Sequence, residues 1–356
     1  MANKFTYADA GVDRKLRSES KKALQVLKET YRFGKIIQLP YGNIFSLKEN
    51  FYLDLVIEEV GTKVLVAQLA EKYDTIGIDG VAMAVNDVIR SGAKPFALAD
   101  NIHMQSSDPV LVQKLLKGVT IGALEAECII PSGEIGDVAE ILKGLTDRKA
   151  FDIVVAAVGE VSERKIIYGK DLKAGDSIVG LRSSGLHSNG ISLARKVLLK
   201  QWGGKYEPFI VPEGLDREII YEVLEPTKIY TKPFLRVTEQ VQVKAAVHIT
   251  GDAYMKFNRL SESSKGMGFQ FDKLKPQPIF DLIQRTAAAQ GRRIADEEMC
   301  KTFNMGWGFA IIVDENDRDE AIDLLEKAGE HAEEIGTVTD AEGVKILYKN
   351  RKFALR

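Results

Sequence analysis

Cysteine is almost missing from this chain. Cys128 and Cys300 are the two it has, without C-x-x-C spacing, which argues against a disulfide framework and against a cysteine zinc site. The four histidines are scattered and no H-E-x-x-H occurs, so a histidine metal centre is not expected either. No segment approaches the ~20 apolar residues of a membrane span, and the N-terminus, MANKFTYADAGVDRKLRSES, has no apolar signal core. A soluble protein of the reducing cytoplasm is the expectation. Neither sign of charge dominates: 49 Lys and Arg face 51 Asp and Glu, a net charge of −2. No pull toward nucleic acid or an anionic membrane is therefore built in. Basic tracts interleaved with aromatics, as single-stranded nucleic acid requires, are absent too. So are G-x-x-x-x-G-K-[ST], G-x-G-x-x-G and G-x-S-x-G, the signatures of the ordinary P-loop, the dinucleotide fold and the serine elbow.

What remains is a soluble globular composition, 45% hydrophobic and 28% charged, on 356 residues, a length that favours two domains. Residues 14–31 mix charge with Leu16, Ala23, Leu24 and Leu27, as in an amphipathic surface helix. Strands are expected at Phe51–Ile57, Phe96–Ala99 and Asp152–Val161, and helices at Val64–Tyr73, Asp79–Ser91 and Pro109–Glu127. In the Asp79–Ser91 helix, Val81, Ala82, Val85, Val88 and Ile89 share one face, while Asp79, Asn86 and Arg90 share the other with Asp87 at its margin. That polar face reads as solvent-exposed or as a site. The polar, turn-rich stretch 162–176 marks a boundary, giving domains 1–165 and 170–356. The second half closes on a strand–helix–strand unit at 309–313, 317–328 and 332–338. The fold class expected is α+β (mixed α/β) in two domains.

Several polar clusters fall at strand ends. Glu58-Glu59-Val60-Gly61-Thr62-Lys63 sets two carboxylates and a lysine around a glycine turn. Asn86-Asp87, Asp100-Asn101 and Ser132-Gly133-Glu134 add oxygen ligands without cysteine or histidine company, which suits Mg²⁺ shared with substrate phosphates. Ser183 to Lys196, SSGLHSNGISLARK, is a glycine-rich turn entering a helix, with Ser188 or Asn189 as the expected N-cap. Free backbone N–H groups and the helix dipole there favour an anion. The same residues also suit a well-capped polar turn, although capping does not account for His187. His248-Ile249-Thr250-Gly251-Asp252 and Thr302-Phe303-Asn304-Met305-Gly306 are further tight turns beside apolar runs.

In order, these clusters resemble the motif series of the phosphoribosylformylglycinamidine cyclo-ligase family. Tyr7 to Asp13 is similar to Y-x-D-A-G-V-D, Val60 to Lys63 to the end of D-G-V-G-T-K, and Asp74 to Asp87 (DTIGIDGVAMAVND) to the next motif. Ser183 to Lys196 resembles S-S-G-x-H-S-N-G-x-S-L-x-R-K along its length, and Pro226 to Tyr230, His248 to Gly251 and Thr302 to Gly306 complete the series. The resemblance implies a homodimer paired through N-terminal sheets. It also implies ATP-dependent closure of formylglycinamidine ribonucleotide to aminoimidazole ribonucleotide, ADP and phosphate, with ATP and Mg²⁺ as cofactors. Carried over by position, His187, Asn189 and His248 are catalytic candidates. Gly61, Thr62, Lys63, Asp79, Asn86, Ser188, Thr250, Gly251 and Asn304 are expected at ATP or substrate phosphates. Glu58, Asp87, Asp100 and Glu134 are the expected metal ligands.

Four departures stand out. Glu58 and Glu59 replace an aspartate and a glycine, the G-G-E-T-A-E-M-P motif is reduced to Ser132-Gly133-Glu134 and its sequel, and Asp252 interrupts T-G-G-G with a negative charge. The N-terminal glycine-rich loop shrinks to Phe33-Gly34 and Tyr41-Gly42-Asn43. The alternatives are another ATP-using enzyme of the superfamily (selenophosphate synthetase, thiamine-monophosphate kinase, the hydrogenase-maturation dehydratase) or a nucleotide-binding dimer with a decayed metal site. The selenophosphate branch requires a reactive cysteine near the N-terminus, and this chain has none before Cys128.

Overall fold

The computed structural model describes residues Asn3 to Leu355, so the domain limits expected at residues 1 and 356 lie outside it. Among the described residues, fifteen strands form two large sheets and one small pair. They are β1 (Asn3–Lys4), β2 (Ile36–Leu39), β3 (Gly42–Lys48), β4 (Phe51–Glu59), β5 (Lys94–Met104), β6 (Ile129–Asp137), β7 (Phe151–Ser162) and β8 (Ser177–Arg182). Then follow β9 (Ala245–His248), β10 (Gly268–Phe271), β11 (Arg292–Arg293), β12 (Trp307–Val313), β13 (Ala332–Thr339), β14 (Gly343–Tyr348) and β15 (Arg351–Leu355). The first sheet runs β2-β3-β4-β7-β5-β6 and the second β15-β14-β10-β13-β8-β12-β9. The fold is mixed α/β, as expected. β1 pairs in parallel with β11, so the N-terminal segment is fastened to the body of the second half.

Period-2 alternation shapes the first sheet. Along β7, Phe151, Ile153, Val155, Ala157, Gly159 and Val161 are buried on one face, while the residues between them are only partly covered. The buried face packs on two helices, α3 (Asp74–Ile89) and α4 (Pro109–Ala126), preceded in the chain by α1 (Arg14–Lys21) and α2 (Lys63–Ala70). α3 and α4 approach closely because glycine lies at the crossing: a Cβ on Gly118 would fall 1.8 Å from the Asp74 carbonyl oxygen. On the other face, Leu55 and Ile57 stand exposed, and Leu55 shares a cross-strand row with Val158, Ala97 and Ile129. In the second sheet every residue of β12 is buried.

Two expectations change. The helix expected over 14–31 is α-helical only to Lys21 and continues as a 3₁₀ stretch, Lys22–Phe33, with no buried residue in either part. Ser132-Gly133-Glu134 does not follow a strand but lies inside β6. No helix among the described residues is long and apolar enough to cross a membrane.

Candidate active site

The polar face of α3 meets the second half of the chain rather than water. Asn86, fully buried, donates through Nδ2 to the Lys228 carbonyl at 2.8 Å and accepts from the Tyr230 N–H at 2.9 Å. Asp79 Oδ1 accepts from Thr227 N at 2.7 Å, Thr227 Oγ1 at 2.6 Å and Ser188 Oγ at 3.1 Å. Lys63, the first residue of α2, is 0% exposed. Its ammonium lies 2.9 Å from both Asp79 oxygens and donates to the Glu225 carbonyl at 2.6 Å. Thr62 Oγ1 is 2.8 Å from Ser192 Oγ. Lys63, Asp79, Asn86, Thr62 and Ser188, expected at phosphates, thus form a buried polar seam joining the two halves.

The stretch 183–196 folds differently from its expected cap. α5 (Ile191–Leu198) begins at Gly190, not Ser188 or Asn189, and no side chain caps it. Gly190 takes φ 81°, and a Cβ there would strike the Phe303 ring at 2.3 Å, so both conformation and space require glycine. His187 is 1% exposed and accepts from the Ser184 N–H at 3.3 Å; burial first, and then its basic neighbours including Lys63, push its pKa well below the usual value. Its ring faces Tyr230, and a Cβ on Gly308 would lie 2.3 Å from it. Asn304 clasps the same loop, donating to the Gly185 carbonyl at 2.8 Å and accepting from Gly306 N at 2.8 Å and Ser183 Oγ at 3.2 Å. Both residues hold the loop from inside.

A polar cavity of about 150 Å³ opens where the end of β4, α3, α1 and the turn after β9 converge. Glu58, Asp87, Asn189, Thr250 and Gly251, all expected site residues, line it. An adjoining cavity of about 220 Å³ shares Tyr41, Glu58, Asp87 and Arg90 as walls and extends along Leu39 to Asn43. Asp87 Oδ1 lies 2.7 Å from His248 Nδ1, and Oδ2 lies 2.7 Å from an Arg90 guanidinium nitrogen. Burial works to raise the Asp87 carboxyl, but Arg90, the His248 hydrogen bond and Lys256 hold it well below the usual carboxylate range. His248, fully buried, is pushed down to about 4 by burial despite Asp87. The ring is therefore neutral at pH 7, donates from Nδ1, and acts through Asp87. Glu58 is raised to about 7, first by burial and then by the Asp87 charge. Asn189 Oδ1 is buried without a hydrogen-bond partner.

The expected metal set does not converge in one chain. Glu58 and Asp100 share a face of the sheet, but the β7 strand with Val155 separates them, about 10 Å at two strand spacings. Asp100 lies beneath Gly133, and Glu134, paired with Asn101, points to the opposite face. No group of three His, Cys, Asp or Glu among the described residues is arranged to hold a metal. Glu58 with Asp87 is the carboxylate pair that fits a cation shared with phosphates.

The sequence departures are accommodated. Glu59 is exposed, and strand alternation turns it away from the Glu58 side, so its side chain does not enter the cavity. Asp252 (φ 67°) lies 3.6 Å from Arg14. Sequence reading missed Arg17, Lys21, Lys256 and Arg259, all lining the cavity. Single basic residues in amphipathic patterns carry no signal that separates them from solvated surface. Lys256, buried, donates to the His248 carbonyl at 3.0 Å and to Thr250 Oγ1; burial lowers it to about 8 against the opposing pull of Asp87.

Comparison with known proteins matches residues 43–161 to the AIR synthase related protein N-terminal domain and 173–349 to its C-terminal domain. The phosphoribosylformylglycinamidine cyclo-ligase of Methanocaldococcus jannaschii is 38% identical, covering 97% of this chain and 96% of its own. That of Pyrococcus furiosus is 35% identical, covering 98% and 99%, and that of Bacillus pumilus 37%, covering 95% and 96%. Among solved structures, a HypE–HypF complex superposes with a TM-score of 0.60 at 18% identity, covering 88% of this chain and 92% of that one. T. maritima PurL complexed with ATP superposes with a TM-score of 0.58 at 13% identity, covering 87% and 44%. These last two are likenesses of fold.

Proposed function

The chain belongs to the AIR synthase related family, and from that premise we propose that it is a phosphoribosylformylglycinamidine cyclo-ligase of the cytoplasm. It uses ATP to phosphorylate the amide oxygen of formylglycinamidine ribonucleotide. The amidine nitrogen then attacks that carbon and expels phosphate, closing the imidazole ring and leaving ADP. Full-length identity to cyclo-ligases of archaea and bacteria supports this reading. The single structural observation that carries it is the cavity lined by Glu58, Asp87, Asn189, Thr250 and Gly251, which joins carboxylates, an amide and basic side chains in one place.

Phosphoryl transfer needs positioning and charge neutralisation rather than a covalent nucleophile. Glu58 and Asp87 would hold Mg²⁺, which when bound offsets the charge of the triphosphate. His248 and Arg90 keep Asp87 ionised and aimed. Asn189, with its free Oδ1, and the Thr250–Gly251 turn meet the reacting groups. His187, Asn304 and the seam around Lys63 and Asp79 fix the loop that carries Asn189. We further propose a homodimer formed through the uncovered face of the first sheet, where Leu55, Ile57 and Ile129 are exposed.

The test is an assay of purified protein with formylglycinamidine ribonucleotide, ATP and Mg²⁺, reading aminoimidazole formation. Product is expected from the natural chain, and Asp87→Asn should lower kcat at least 100-fold. Bound ATP without product would overturn the cyclo-ligase reading, and full Mg²⁺-dependent turnover in Asp87→Asn would overturn the metal assignment.

A further inference from the structure

The helix α1 is held in place without using all of its basic residues. Asp13 caps it, accepting from Lys15 N at 2.8 Å and Leu16 N at 3.1 Å. Arg14 then locks it to the second half of the chain, reaching Glu298 Oε1 at 2.9 Å, the Lys301 carbonyl at 2.9 Å and Thr302 Oγ1 at 2.6 Å. Arg17 and Lys21 follow at the spacing that keeps them on the Arg14 side of the helix. Both reach the wall of the 150 Å³ cavity, which Lys256 and Arg259 also line. Arg17 comes beside the Thr250–Gly251 turn, its NH1 3.7 Å from where a Gly251 Cβ would stand.

The charges there do not balance. Asp252 lies against Arg14 and Asp87 against Arg90. Among the described residues, none of Arg17, Lys21, Lys256 and Arg259 has a carboxylate within 4.0 Å of its cationic nitrogens. Burial lowers the Lys21 pKa, and Arg17 and Arg259 push the same way against the pull of Asp252 and Glu58. Lys256 has two neutral acceptors for three ammonium protons, although it is buried. Arg17, Lys21, Arg90, Lys256 and Arg259 outnumber Glu58, Asp87 and Asp252 on the cavity wall, and the excess positive charge favours an anion. Guanidinium forks and ammonium groups together suit the tetrahedral oxygens of a phosphoryl group.

We propose that α1 is a phosphate-recognition element: Arg17 and Lys21 close over the cavity and, with Lys256 and Arg259, hold a phosphoryl group beside Asn189 and the Thr250–Gly251 turn. The cradle rests on the cyclo-ligase reading for the identity of its ligand, which is either the polyphosphate of ATP or the 5′-phosphate of the ribonucleotide.

The experiment compares the full chain with Arg17→Ala/Lys21→Ala, with Lys256→Met, and with Lys15→Ala as a control on the same helix. Thermal protection by tripolyphosphate and by ribose 5-phosphate is measured alongside KM for ATP and for formylglycinamidine ribonucleotide. The double variant should melt no lower than the natural chain without ligand, since among the described residues neither side chain makes a hydrogen bond or ion pair and both add to the cationic excess. It should lose protection by one probe and raise the matching KM at least tenfold, while Lys15→Ala changes nothing. Loss with tripolyphosphate and ATP assigns the cradle to ATP; loss with ribose 5-phosphate and the ribonucleotide assigns it to the substrate. Unchanged protection and unchanged KM values overturn the proposal, as does a natural chain that neither probe protects. A natural chain that makes no aminoimidazole but is protected through Arg17 and Lys21 removes the cyclo-ligase reading and leaves the cradle standing.

Discussion

The role of Lys63 separates a reading by motif position from one by geometry. At a phosphate site, Lys63→Met should raise the KM for ATP and leave the melting temperature alone. With the ammonium 0% exposed and paired to Asp79, the reverse is expected. Breaking a buried pair costs about 3–5 kcal/mol because the remaining charge is stranded. The two halves of the pair are not equivalent. After Lys63→Met, the Asp79 carboxylate still accepts from Thr227 N, Thr227 Oγ1 and Ser188 Oγ, so the cost falls near about 3 kcal/mol. After Asp79→Ala, the lysine keeps one carbonyl, that of Glu225, and three donors lose their acceptor; the cost falls near about 5 kcal/mol. At about 2–4 °C per kcal/mol for a domain of this size, the melting temperature drops by roughly 6–12 °C for Lys63→Met and roughly 10–20 °C for Asp79→Ala. Differential scanning calorimetry gives the order, and ATP titration of each variant gives the KM. A Lys63→Met protein that melts like the natural chain but binds ATP tenfold more weakly would refute the seam.

Three further outcomes follow from single contacts. Gly190→Ala forces a left-handed φ on alanine and drives its Cβ into the buried Phe303 ring, so a loss of about 2–4 kcal/mol is expected in denaturant titration; a loss under 1 kcal/mol would contradict it. Ile57→Glu, on the exposed sheet face, should turn the proposed dimer into monomer by analytical ultracentrifugation, and a dimer that persists would move the interface elsewhere. Asp54 has its pKa raised to about 6 by burial, against the Ser91 hydroxyl and Arg90. Since that lies above the unfolded value near 3.9, its contribution to stability is greatest below about pH 4 and is lost as pH rises through about 6, up to about 3 kcal/mol. Asp54→Asn should therefore gain stability relative to the natural chain between pH 4 and 7, and a difference independent of pH would exclude this.

Local patterns carried the fold a long way. The helix expected from Asp79 to Ser91 exists as Asp74–Ile89, because its apolar stripe is wide and regular, and β7 emerges from a run that packs on one side. The helix over 14–31 was less legible. Its apolar residues Leu16, Leu24 and Leu27 find no core and remain exposed, so periodicity alone did not fix the backbone past Lys21. The boundary of α5 was misread for a different reason. Ser188 has the chemistry of a cap, but its hydroxyl is drawn to Asp79, more than a hundred residues away in the chain, and Gly190 turns the backbone instead.

The site divides along the same line. A polar side chain near a strand end either faces a ligand or satisfies another part of the chain, and sequence holds no distance with which to choose. Asn86 and Asp87 are neighbours on α3, yet Asn86 ties down residues 228–230 while Asp87 enters the cavity. Their step around the helix is about 100°, enough to send one into the seam and the other to the wall of the cavity. The same reasoning bears on Glu58 and Glu59. Read along the chain they are two carboxylates added to a glycine turn; on a strand they point opposite ways, so one carboxylate reaches the Asp87 cavity and the other does not. The altered motif therefore leaves the carboxylate pair of the site intact, with a longer side chain in one of its two positions.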